Sequence, residues 1–150
     1  MRLMAATDIA LRVLMVLARD PAGPPVSVEA LADELGGLSR HHLHKIVQAL
    51  TVLGATRTVR GSAGGVALAA DPAKLRLGSL ARQLEDRQPL VECFNTETCS
   101  CTLVSVCKLR GMLRDAKERF YAALDEHSLA EIVPPRTRHH PAPAARVATS

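Results

Sequence analysis

At 150 residues and 47% hydrophobic, the chain can bury one modest core with appendages, and with only three aromatics (Phe94, Phe120 and Tyr121) that core must be built from Leu, Val and Ala. No apolar run reaches the ~18 residues of a membrane helix, which excludes a helical span. The net charge of +4 says less than its distribution: from Leu35 to Ala70 there is no Asp or Glu, while Arg40, Lys45, Arg57 and Arg60 fall within that stretch. A long acid-free segment carrying four cations marks a face suited to a polyanion.

The opening MRLMAATDIALRVLMVLARD places Asp8 and Arg12 inside its apolar run and has no small-residue cleavage site after a clean core. It reads as a first helix rather than a secretion signal, and a cytoplasmic protein is the expectation. From about Thr7 to Ala18 the helix is apolar nearly all round and should be largely buried, with Thr7 or Asp8 suited to its N-cap. Asp20–Pro25 breaks the chain. A short helix follows, capped by Ser27 with Leu31 and Leu35 inward. Gly36-Gly37-Leu38 turns the chain, and Ser39 opens a second helix whose Leu43, Ile46, Val47, Leu50 and Leu53 follow helical spacing until Gly54 stops it.

A short helix, a glycine turn and a longer basic helix form the helix-turn-helix pattern, in which the N-terminal residues of the second helix enter the major groove. Here those residues are Ser39, Arg40, His41, His42 and His44, followed by Lys45. The three histidines are not spaced to share one helical face, which favours contacts to bases and phosphates over a metal. Ala55–Arg60 then reads as a strand bearing Arg57 and Arg60, Gly61–Gly65 as a turn and Val66–Ala69 as the return strand: a wing. The glycine-rich tip lacks the Lys-Ser/Thr ending of a phosphate-binding loop. A further helix is expected from Asp71-Pro72 to about Glu85. Another runs from about Lys108 to Glu126, with Leu109, Met112, Leu113, Ala116, Phe120, Ala123 and Leu124 on one stripe. A long stripe behind a DNA-binding head suggests a dimerisation helix, the alternative being an ordinary core helix. The final PPRTRHHPAPAARVATS, residues 134–150, is Pro/Ala-rich and basic and reads as disordered.

All four cysteines, Cys93, Cys99, Cys101 and Cys107, lie in the 15 residues CFNTETCSCTLVSVC. Packing alone would scatter them. A cytosolic thiol cluster points to metal or redox chemistry rather than a disulfide knot. The spacings x5, x1 and x5 lack the Cys-x-x-Cys knuckle usual in structural zinc sites. Spacing alone therefore puts an iron–sulfur cluster first, which needs thiolates, with zinc second and redox thiols third. No nucleophile–base pattern or substrate motif supports an enzyme.

Taken together, MRL-x4-DIALRVLM, SRHHLHKIVQAL, RGSAGG and LVECFNTE followed by C-x5-C-KL resemble the NsrR-type nitric-oxide-sensing repressors, of the winged-helix superfamily shared with the cluster regulator IscR. The resemblance runs from Met1 to about Val133. It implies a mainly α fold with a small β-hairpin: a winged helix-turn-helix DNA-binding domain at 1–85, a cluster-binding loop at 86–108, and a dimerisation helix with its following segment at 109–133. It also implies a homodimer on an inverted-repeat operator, one iron–sulfur cluster per subunit (4Fe-4S preferred, 2Fe-2S open) and nitric oxide as the signal. Carried over residue by residue, the ligand cysteines are Cys93, Cys101 and Cys107, leaving Cys99 as an extra thiol. The fourth ligand is Asp8, from the first helix of the partner subunit. The position three residues after the last cysteine is Arg110, where IscR-like proteins have a His ligand, which places the chain on the NsrR side. Ser62 stands where relatives often carry a basic wing-tip residue. The alternatives are a zinc-stapled regulator and a thiol-redox regulator without a cluster.

Overall fold

The computed structural model describes residues 3–86, 89–95 and 97–134. Five helices and one hairpin follow in the order α1 (Ala5–Leu17), α2 (Val28–Glu34), α3 (Arg40–Val52), β1 (Thr56–Val59), β2 (Gly65–Leu68), α4 (Leu77–Glu85) and α5 (Lys108–Asp125), with short 3-10 turns at Glu92–Phe94 and Leu129–Ile132. The mainly helical fold with a small hairpin is as the sequence reads. The basic tail falls at 135–150, outside the described residues. No helix among the described residues is long and apolar enough to cross a membrane.

Helix α1 is the centre of the core. Thr7, Ala10, Val13, Leu14 and Leu17 are buried, packed with Leu31, Leu43, Ile46, Val47, Leu50, Val66, Leu68, Leu77, Leu80 and Leu129. Its start differs from the reading of Thr7 or Asp8 as N-cap: the helix begins at Ala5, with Met4 at the cap position. A distant carboxylate is the reason, since Glu85 Oε1 accepts the Met4 backbone N–H at 2.8 Å. That bond satisfies a helix-end donor locally assigned to a side-chain cap. Glu85 is itself buried.

The remaining head follows its local signals. The Ser27 side chain accepts the Ala30 N–H at 3.1 Å and opens α2. Gly54, at φ +72°, ends α3 in the left-handed conformation that glycine adopts without strain. The wing pairs Thr56 with Leu68, Arg57 with Ala67, Thr58 with Val66 and Val59 with Gly65. Val26 adds a bridge on the far side of β2, exchanging two 2.8 Å bonds with Val66, and so ties the wing to the segment before α2.

Helix α4 starts at Leu77 rather than at Asp71-Pro72. Asp71 instead turns the chain, its side chain accepting the Ala73 N–H at 2.9 Å. The segment after it is captured from afar: Leu129 N–H bonds to Leu75 O at 2.8 Å and Leu77 N–H to His127 O at 3.0 Å. Asp125 then caps α4, accepting the Ser79 N–H at 2.6 Å and the Ser79 hydroxyl at 3.0 Å. At this crossing a Cβ on Gly78 would meet Tyr121 O at 2.0 Å and Asp125 N at 2.7 Å, both backbone atoms. Tyr121 is buried beside it, with the Arg82 guanidinium 4.7 Å from its ring centroid and Arg82 bridged to Glu118 at 2.7 Å. Burial, aided by the Glu85 carboxylate, pushes the Tyr121 phenol above its ordinary value.

Gly78→Ala should therefore force α4 and α5 apart and destabilise the fold by about 1–3 kcal/mol, as overpacking does elsewhere, read as a lowered midpoint of urea unfolding. At Gly111, where a Cβ meets nothing within 4 Å, the same change should leave the midpoint unchanged or raise it.

Candidate functional site

Two sets of residues carry chemistry, one on the head and one in the loop between α4 and α5. On the head, Ser39, Arg40, His41, His42, His44 and Lys45 are all exposed, as are Arg57 and Arg60. The apolar stripe of α3 fixes this arrangement, because burying Leu43, Ile46, Val47 and Leu50 turns the intervening polar positions outward. A cleft of about 640 Å³ separates α3 from the wing; His41, His44, Lys45 and Gln48 line one wall and Thr58, Gly64 and Gly65 the other. A Cβ on Gly65 would sit 2.5 Å from Val26 O, so the wing packs against the backbone before α2 only because that position lacks a side chain.

Glu29, from outside the acid-free stretch, also lines this cleft and pairs with Arg40 at 3.3 Å. Sequence reasoning missed it. Arg40 thus shares its charge with Glu29, whereas Lys45, Arg57 and Arg60 make no ion pair among the described residues.

In the loop, Cys93 lies in the 3-10 turn Glu92–Phe94 and Cys107 occupies the N-cap position of α5. Cys93, Cys99 and Cys107 are half-buried, Cys101 is exposed, and all four are free thiols. The partial positive end of the 18-residue α5 at Cys107 suits a bound group of negative charge. Ser100, between Cys99 and Cys101, donates its backbone N–H at 2.8 Å and its hydroxyl at 2.7 Å to Glu92 Oε1. Those two bonds hold the Glu92 carboxyl below the usual carboxylate range. Asp8 lies on the exposed edge of α1, bridged to Arg12 at 2.7 Å.

A single copy of the chain does not gather Cys93, Cys101, Cys107 and Asp8: among the described residues no three His, Cys, Asp or Glu side chains stand close enough to hold a metal ion. The donor set nevertheless suits an iron–sulfur group, which is held by thiolates. Four unpaired thiols lie in one irregular loop, with a helix N-terminus at its end.

A basic reading helix, an antiparallel wing and a buried three-helix core define a winged-helix, DNA-binding transcriptional regulator rather than an enzyme. The match to the Rrf2 family, described as iron-dependent transcriptional regulators, extends over residues 3–135, and the chain belongs to that family. It is similar to the HTH-type transcriptional regulator NsrR of Geobacillus kaustophilus, 38% identical over 136 residues that cover 91% of this chain and 92% of the relative. The NsrR proteins of Shouchella clausii (37%, covering 89% of both) and Bacillus subtilis (35%, 89% and 90%) are alike over 133 residues. Among solved structures, T. potens IscR superposes with a TM-score of 0.68 at 22% identity, over 88% of this chain and 85% of that one. The oxidised form of Staphylococcus aureus CymR gives 0.69 at 22%, over 92% and 100%. These two likenesses bear on the fold alone.

For the head, Lys45→Ala and Arg60→Ala should each weaken DNA binding about equally across sequences and reduce the slope of log affinity against log salt by about 1. His41→Ala or His42→Ala should instead change which bases are preferred. Filter-binding titrations at several salt concentrations separate the two patterns.

Proposed function

We propose that this protein is a homodimeric repressor whose binding to an inverted-repeat operator is controlled by an iron–sulfur cluster, one per subunit, that responds to nitric oxide. The observation that carries this reading is the loop between α4 and α5: four free thiols within 15 residues, of which Cys101 and Cys107 keep the C-x5-C spacing that resembles the NsrR-type proteins. Membership in a family of iron-dependent regulators and 35–38% identity to proteins named NsrR support it.

The residues assigned to hold the cluster are Cys93, Cys101, Cys107 and Asp8 of the partner subunit. When bound, it would supply iron with which nitric oxide reacts. A carboxylate is a harder and weaker partner for such iron than thiolate, so Asp8 is the contact most easily given up. The Asp8–Arg12 pair is half exposed on both sides. Such surface pairs are worth about 0.5 kcal/mol, so Arg12 does not prevent the Asp8 carboxylate from turning to a stronger partner.

Dimerisation is supported by an apolar face that the described residues leave exposed. Leu103, Val106, Leu109 and Met112 are 62%, 76%, 59% and 65% exposed and run from the loop into the first turns of α5. In the proposed dimer a second copy covers this face about a two-fold axis, and its α1 offers Asp8 to this loop. Two-fold symmetry in turn requires an operator with two inverted half-sites. Release of Asp8 would then uncouple α1, to which the reading head is packed, from the loop of the other copy and change the spacing of the two reading helices.

Two predictions test this reading on anaerobically purified protein. Cys93→Ala, Cys101→Ala and Cys107→Ala should each abolish the visible absorption of the parent, while Cys99→Ala keeps most of it. A colourless parent with stoichiometric zinc overturns the cluster reading, and equal bleaching by Cys99→Ala overturns the ligand assignment.

The second prediction isolates Asp8. Asp8→Asn preserves size and helix-end polarity but not the charged carboxylate. The visible spectrum and the stopped-flow rate with nitric oxide should both change while the melting temperature moves little. Parent-like traces would remove Asp8 from the site.

A further inference from the structure

We infer that Glu92 is a positioning residue for the cysteine loop: by clasping Ser100 it closes residues 92–100 and brings the flank of Cys93 to the flank of Cys101. Glu92 immediately precedes Cys93, and Ser100 immediately precedes Cys101. A single carboxylate oxygen, Oε1, accepts both Ser100 donors, the N–H at 2.8 Å and the hydroxyl at 2.7 Å. The clasp joins the two positions assigned as the first and second thiolate ligands, and in this respect the inference rests on the proposed function.

Three features argue that the clasp serves the thiols rather than the fold. Glu92, Ser100 and Cys101 are exposed, and no described residue from 86 to 107 is buried, so the clasp adds nothing to the core. The loop backbone is already turned at its start, with Phe94 N–H on Val91 O and Asn95 N–H on Glu92 O, both at 3.0 Å. Asn95 Oδ1 also accepts the Glu97 N–H at 3.0 Å. These bonds curl the chain locally, whereas the Glu92–Ser100 pair is the contact that spans it. Closing a flexible loop carries an entropic cost that grows with its length. A loop closed beforehand leaves less of that cost to the group that binds the thiols. A carboxylate suits this role at a site of thiolates because two donors of one residue converge on it, and such charge-assisted bonds are roughly twice as strong as neutral ones.

The test uses the full-length chain and two independent readouts. In the first, apo-protein carrying Cys99→Ser and Cys107→Ser is treated with dibromobimane, which fluoresces strongly once it bridges two thiols, here Cys93 and Cys101. Glu92→Ala, which removes both bonds, should slow bridging relative to single alkylation by at least about 3- to 10-fold, the range of a single ordinary hydrogen bond. Glu92→Gln, which keeps an acceptor oxygen, should retain most of the parent rate, and Ser100→Ala, which keeps the backbone donor, should fall between. In the second, anaerobic reconstitution of the otherwise unaltered chain with ferrous iron and sulfide is followed by visible absorption, and the variants should rank in the same order. Bridging by Glu92→Ala at the parent rate overturns the clasp, as does a Glu92→Gln variant as slow as Glu92→Ala. A parent that takes up no iron and sulfide overturns the cluster reading instead, and the bridging experiment still decides the clasp.

Discussion

The burial of α1 constrains everything else in this molecule. Ala10, Val13 and Leu14 have no exposed surface, and the helix meets α3, β2, α4 and the 3-10 turn at Leu129–Ile132. Each fully buried Val or Leu is worth about 1.5–3 kcal/mol, so α1 does not shift without carrying the reading helix with it. What remains exposed on α1 includes Asp8 and Arg12, four residues apart on one edge. The Glu85 carboxylate fixes the start of the same helix by holding the Met4 N–H, at the point where the chain leaves α4 for the cysteine loop. The head and the root of the loop are thus joined through one buried helix and one buried acid.

The second constraint is the close passage of α4 and α5 at Gly78. It divides α5 into two parts with different roles. The C-terminal part is clamped by Tyr121, Leu124 and the Asp125 cap on α4. The N-terminal part carries Leu109 and Met112 into solvent. The stripe legible in the sequence, from Leu109 to Leu124, therefore does not bury as one face within the chain. Its lower end packs on the core through the partly buried Leu124, and the described residues leave its upper end exposed.

Where local chemistry sets the conformation, the sequence was sufficient. Ser27, Gly54 and the helical spacing of Leu43, Ile46, Val47 and Leu50 give the helix-turn-helix, and the glycine-rich turn between two short β-prone runs gives the wing. The failures have a common cause. Thr7 or Asp8 as N-cap, and Asp71-Pro72 as the start of α4, were both displaced by partners far along the chain. Glu85 is 81 residues from Met4, and the backbone near Leu75–Leu77 is captured by residues 127–129. Hydrophobic period and cap preference record neighbours three or four positions away and are silent about such bonds. The Glu29–Arg40 pair and the Glu92–Ser100 clasp were invisible for the same reason, since each joins a carboxylate to a donor that only the turn between them brings near. The thiol set was legible as a set, because four cysteines in 15 residues are a local fact. Which atoms surround it was not.

The distribution of burial also explains why the switching part of such a protein would lie where the cysteines are. No described residue from 86 to 120 is buried, although this stretch holds Leu103, Val104, Val106, Leu109, Met112 and Leu113. A segment with no fully buried apolar side chain has less hydrophobic stabilisation than the head to oppose its chain entropy, and regions of low local stability are where conformational switching is drawn from. Its order depends on hydrogen bonds such as the Glu92–Ser100 clasp, and on whatever the thiols and the apolar face bind. The head is the reverse case, with a continuous core and a reading surface held by its burial. Under the proposed function, a change in what the thiols hold alters the segment with least internal support first. Within the chain it reaches the well-packed head through α4, which packs on both α5 and α1.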